Sequence, residues 1–164
     1  MLNSHELFGF MSPDLASQIV EVTFGDDKDT YKATVAAVAQ ARKLRPIFLQ
    51  RQPAAARNKI LLESLSRPGM AQAADNLLRT WLIKSQTQML KDFLDACGIE
   101  HEDGVVEDLP DSVADDKLAA GVASVLEKHP KENVLVYLHA FNTMNECAWK
   151  NLDELLQTDD RLQF

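Results

Sequence analysis

The chain has 164 residues, 46% hydrophobic and 26% charged, with six Gly and six Pro; this is the balance of one soluble globular domain with a sizeable core, and it excludes whole-chain disorder and collagen-like or low-complexity classes. The formal net charge is −8, from 17 basic and 25 acidic residues. It is unevenly placed: residues 1–41 carry 2 basic and 6 acidic side chains (−4), residues 42–91 carry 10 and 2 (+8), and residues 92–164 carry 5 and 17 (−12).

Ser12-Pro13-Asp14 signals the start of a first helix, since Ser caps, Pro suits the first helical position and Asp favours the positive end of the dipole. Leu15, Ile19 and Val22, with Val20 beside them, form its apolar stripe, and Gly25 stops it. The β-branched and aromatic content of Val20 to Phe24 leaves a hairpin from Ile19 to Val35 through Gly25-Asp26-Asp27 as the competing arrangement. A second helix is predicted from about Asp29 to Arg45 on the spacing of Tyr31, Val35, Val38 and Ala41. Pro46 ends it, and Ile47 to Leu49 form one or two turns before Pro53. Pro53 opens a third long helix reaching about Ser66, followed by the break Arg67-Pro68-Gly69.

Apolar spacing then runs from Met70 to Cys97, interrupted by the wholly polar stretch Lys84 to Gln88. Either one helix changes partners there or two helices meet at a corner. Gly98 ends the run in left-handed conformation, with Ile99 placed for the hydrophobic contact that follows such an end. Glu100 to Pro110 is an acidic loop. A fifth helix begins on Asp111 or Ser112 as cap and closes at Lys128-His129, before Pro130. A sixth, from about Lys131 to Met144, is apolar nearly all round and therefore central. A seventh runs from about Glu146 to Gln157, and Asp159 to Phe164 is a short tail. These elements predict an all-α fold: a globular bundle of about six to eight helices, mostly antiparallel helical hairpins, in a single domain 1–164, with 98–110 as the place where it would subdivide.

No HExxH, Glu-x-x-His, GxGxxG, P-loop or GxSxG pattern is present, which weighs against the large enzyme classes while leaving room for an unfamiliar active site. No metal site and no cofactor are expected. Eight carboxylates lie within residues 100–116, but Gly104 lacks the register of an EF-hand loop, so the segment reads as a solvated loop and helix-start acids. His139, Thr143 and Glu146 share one helix face with Asn142 nearby. His139, Asn142 and Glu146 are thus a candidate polar site for acid–base work, with a hydrogen-bonded structural histidine as the plainer alternative.

The basic stretch supplies the main binding candidates: Arg42, Lys43, Arg45, Arg51, Arg57 and Lys59, continued by Arg67 and Arg79. Arginine suits two-pronged contact with carboxylate or phosphate. An Arg-rich helical face over 42–79 could hold nucleic acid, but the low pI of about 4.9 and sparse aromatic residues weigh against it. Complementarity of the +8 and −12 stretches favours another protein, or a second copy of this chain, as the partner. Cys97 and Cys147 form no CxxC pair and read as two thiols of a reducing compartment. Residues 1–10 have no signal-peptide pattern and no run is long enough to span a membrane, so a cytoplasmic location is expected.

Overall fold

The structure, a computed structural model, describes residues 1–145 and 148–164. It is all-α, with ten α-helices, two single-turn 3-10 helices and no β-strand among the described residues. The helices are α1 (Ser4–Phe10), α2 (Pro13–Asp26), α3 (Lys28–Ala41), α4 (Pro46–Arg51), α5 (Ala54–Leu65), α6 (Ala71–Ser85), α7 (Thr87–Cys97), α8 (Asp115–Lys128), α9 (Lys131–Met144) and α10 (Lys150–Thr158). The expected six to eight helices become ten for two reasons. α1 is a seven-residue helix whose only sequence mark is the spacing of Asn3 and Glu6, where the Glu6 carboxylate accepts from the Asn3 N–H at 2.7 Å. The run from Met70 to Cys97 is two helices, broken at Gln86 inside the polar stretch.

The chain divides into two units, Asn3–Lys84 and Ser85–Phe164, the latter including Met1–Leu2. In the N-terminal unit the Ser12 hydroxyl caps α2 by accepting from Leu15 N–H at 3.2 Å. The helix continues through the β-branched stretch, where Thr23 satisfies its buried hydroxyl on the Ile19 carbonyl at 3.0 Å; no hairpin forms. Asp27 caps α3 by accepting from Thr30 N–H at 3.0 Å. α3 then packs against α2, α4 and α5, and α5 also receives α1 and α2. Leu7, Ile19, Val38, Leu49, Leu61 and Leu65 are fully buried and make up the core of this unit.

α3 ends in an unusual way. The Leu44 N–H reaches back to the Ala39 carbonyl at 2.8 Å and Lys43 N–H to Gln40 at 3.1 Å, closing the helix through Lys43 at φ 56°. This is the left-handed position normally given to glycine.

In the C-terminal unit α7 packs tightly on α8, and α9 lies against both α8 and α10. The α7–α8 approach depends on Gly121: a Cβ there would sit 2.5 Å from Cys97 Sγ and 3.1 Å from the Phe93 ring. α7 stops at Gly98, φ 71°, where Ile99 N–H bonds to the Leu94 carbonyl at 2.9 Å. A cluster of Phe93, Tyr137, Phe141 and Trp149 forms the centre of this unit, with Phe93 5.4 Å from both Tyr137 and Phe141 and Phe141 5.0 Å from Trp149, ring centre to ring centre.

α8 begins at Asp115 rather than after a cap at Asp111 or Ser112. The intervening residues are held instead by tertiary bonds. Trp149 Nε1 donates to the Pro110 carbonyl at 2.8 Å, and Asn151 Nδ2 donates to the Val113 carbonyl and the Asp115 carboxylate at 2.8 and 2.9 Å. Among the described residues no helix is long and apolar enough to cross a membrane.

Candidate functional site

The six cations singled out as binding residues all lie in the N-terminal unit, and the fold assigns them different work. Arg42, at the end of α3, donates from Nε to Ser64 Oγ at 2.8 Å and from Nη2 to the Glu63 carboxylate at 3.2 Å, bracing α3 on α5. Arg57 on α5 reaches the end of α4, its Nη1 donating to the carbonyls of Gln50 and Gln52 at 3.3 and 3.4 Å. The Arg57 guanidinium also stands 5.9 Å from the Phe24 ring centre and 5.8 Å from that of Tyr31. Lys59 is exposed on α5.

Lys43, Arg45 and Arg51 come together. With Ile47 and Phe48 they line an open groove of about 400 Å³ around α4, and no carboxylate among the described residues lines it. Helical geometry explains why the apolar pair is on show. α4 has six residues, and it can bury only one face; Leu49 takes that face at 0% exposure, leaving Ile47 49% and Phe48 50% exposed. The exposure of Ile47 and Phe48 was not read from the sequence. The signal was a six-residue helix between Pro46 and Pro53, too short to have a second buried side. Arg79 is remote from this groove in kind: it lines another cleft, with Asp27 and Lys84.

Two of the three residues of the candidate polar site, His139 and Asn142, are hydrogen-bonded within the chain. His139 is buried, its Nδ1 accepts from Leu2 N–H at 3.0 Å, and its ring stacks on Phe164 at 5.9 Å between centres. Burial pushes the imidazole down to about 4, with the nearby α-ammonium reinforcing the shift and Asp153 opposing it, so the ring is neutral near pH 7. Asn142, 1% exposed, bonds twice to Trp149: its Oδ1 accepts from the Trp149 N–H at 2.7 Å and its Nδ2 donates to the Trp149 carbonyl at 3.1 Å. These bonds pair two buried backbone groups next to α10. Glu146 and Cys147 lie outside the described residues. Cys97 is buried and burial raises its thiol to about 11, far from a reactive thiolate.

The acidic loop turns back on itself at Asp103-Gly104, where both residues have positive φ and Glu102 and Val105 exchange backbone hydrogen bonds of 2.9 Å. Gly104 is required there, since a Cβ would meet Leu90 Cβ at 2.8 Å. His101 bridges Asp95 at 2.9 Å and the Gly104 N–H at 3.1 Å. Asp92 gathers His129 at 2.8 Å, Gln88 at 3.1 Å and Lys128 at 3.5 Å. Burial opposes its ionisation, but these partners together hold its carboxyl below the usual aspartate range. No group of three or more His, Cys, Asp or Glu side chains among the described residues is arranged to hold a metal ion. Compared with known proteins, the chain matches no family model, no curated protein and no solved structure.

Proposed function

We propose that the protein is a protein-binding module whose α4 surface captures an acidic segment carrying an apolar side chain. The observation that carries this is the convergence of Lys43, Arg45 and Arg51 around the half-exposed Ile47 and Phe48. Exposed ion pairs contribute little each, so the apolar pair supplies most of the attraction while the three cations select and orient an acidic partner. The left-handed backbone at Lys43 supports the same reading, because a costly conformation is kept at a residue that lines the groove. Nucleic acid is a poorer fit: Arg42 and Arg57 of the Arg-rich stretch are engaged within the unit, and Phe48 is the one aromatic ring lining the groove.

The test is a titration of the intact protein with a synthetic peptide of residues 100–116, whose eight carboxylates accompany Val105, Val106 and Leu109, by isothermal calorimetry at low and high salt. Arg45→Glu with Arg51→Glu is expected to weaken binding by about tenfold or more, and Phe48→Ser similarly, with stability changed by no more than about 0.5 kcal/mol because the sites are exposed. Sedimentation of the protein alone identifies the partner as a second copy when a dimer dissociates with salt. Peptide affinity unchanged in both variants overturns the proposal, as does tight, steeply salt-dependent binding of duplex DNA or RNA in place of the peptide.

A further inference from the structure

A second cleft in the N-terminal unit, also of about 400 Å³, has a different chemistry. One face of α3 forms its wall: Lys28, Tyr31, Lys32 and Val35 follow the i, i+3, i+4, i+7 spacing that puts residues on one side of a helix. Phe24 of α2, Gln50 of α4 and Arg57 of α5 complete it, Phe24 meeting Tyr31 edge-on at 5.0 Å between ring centres. Among the described residues, three cations and no carboxylate line the space.

Two donors on the lining residues have no hydrogen-bond partner among the described residues: the hydroxyl of Tyr31, a residue only 8% exposed, and Nε of Arg57, both almost without solvent-accessible surface. Arg57 Nη1 is already shared between two carbonyls. Both atoms are closed off from solvent, so what the cleft offers a ligand is the charge of Lys28, Lys32 and Arg57 beside the aromatic rings of Phe24 and Tyr31. The volume is that of a small-ligand site.

From this we infer that the cleft is a binding site for a small amphipathic organic anion, a carboxylate or phosphate on an aromatic or short aliphatic body. The anionic group is drawn by Lys28, Lys32 and Arg57, and the apolar body packs on Phe24, Tyr31 and Val35. The site is separate from the α4 groove, since Lys28, Lys32 and Tyr31 take no part in that surface.

The test titrates the full chain with phenyl phosphate, benzoate, inorganic phosphate and benzyl alcohol, read by amide chemical shifts. Phenyl phosphate or benzoate is expected to bind about tenfold or more tightly than inorganic phosphate or benzyl alcohol, since only the first two combine charge with an apolar body. Shifts should centre on residues 24–35 and 57. Lys28→Gln with Lys32→Gln, both exposed, is expected to weaken the organic anions by about tenfold while melting is unchanged. Equal affinity for benzoate and benzyl alcohol overturns the inference. So do shifts centred on residues 43–52, or a lysine double variant that binds as the parent does.

Discussion

The two units use their polar side chains in opposite ways. Asn3–Lys84 holds 11 basic and 8 acidic residues, a net of +3, while the other unit holds 6 and 17, a net of −11, which together give −8. The N-terminal unit leaves cations and apolar groups facing outward around α4, and leaves two donors unpaired beside α3. The C-terminal unit turns its amides and imidazoles on its own chain: Asn142 on Trp149, Asn151 on Val113, His139 on Leu2 and His101 on Gly104. A buried polar group that is already paired has nothing left to offer a ligand. Net charge therefore points the wrong way here. The nearly balanced unit carries both candidate surfaces, while the strongly charged one, its unpartnered Tyr137 hydroxyl apart, spends these amides and imidazoles on its own chain.

The contrast breaks first, if it breaks, at Trp149. This side chain is 1% exposed, packs at a tilt within the aromatic cluster and anchors Pro110 through its indole N–H. Trp149→Ala should cost about 4 kcal/mol, from lost burial and the cavity left behind, measured by urea unfolding followed by circular dichroism. A cost below about 1 kcal/mol would mean that the internal bonds of the C-terminal unit do not organise it, and the difference between the units would lose its physical basis.

The elements whose determinants are local were legible in the sequence. Ser12-Pro13 marks the start of α2, Gly98 ends α7, and the polar stretch around Gln86 marks a helix break. Elements determined by distant partners were not. The start of α8 is delayed because Trp149 and Asn151, nearly 40 positions away, hold the residues before it. The basic cluster showed the same limit. Arg42 and Arg45 look alike in the sequence, but Glu63 and Ser64 engage the first while the second lines the groove. For Arg57, the decisive neighbours Phe24 and Tyr31 lie more than 25 positions upstream, beyond any local pattern.

A smaller effect sharpens the contrast through pH. His139 is held at about 4 in the folded protein against 6.5 for an ordinary histidine. A depressed histidine means the unfolded chain binds the extra proton first. The stabilisation is complete above the unfolded value, and it is lost as pH falls from 6.5 through about 4. Between about pH 7.5 and about pH 5 the loss should be about 2 kcal/mol. His139→Asn, whose side-chain oxygen can accept from Leu2 in place of Nδ1, should remove this slope. A slope that survives the substitution would show that the imidazole is not buried neutral, and that the C-terminal unit keeps an ionisable group in reserve.

The smallest effect has the opposite sign, and it falls on the other unit. Lys43 ends α3 at φ 56°, a conformation that costs an ordinary residue about 1–2 kcal/mol and glycine almost nothing. Glycine gives back part of that gain through its freer unfolded chain. Lys43→Gly should therefore stabilise the N-terminal unit by roughly 0.5–1 kcal/mol, measured by urea unfolding at constant pH. It should also weaken the acidic peptide, because one of the three cations around Ile47 and Phe48 is gone. Stability and binding moving in opposite directions at one residue is what a surface kept for a partner requires. If the glycine variant gains stability and binds the peptide as well as before, the strained lysine serves nothing at α4, and the outward-facing half of the contrast reduces to Arg45, Arg51 and the two apolar side chains.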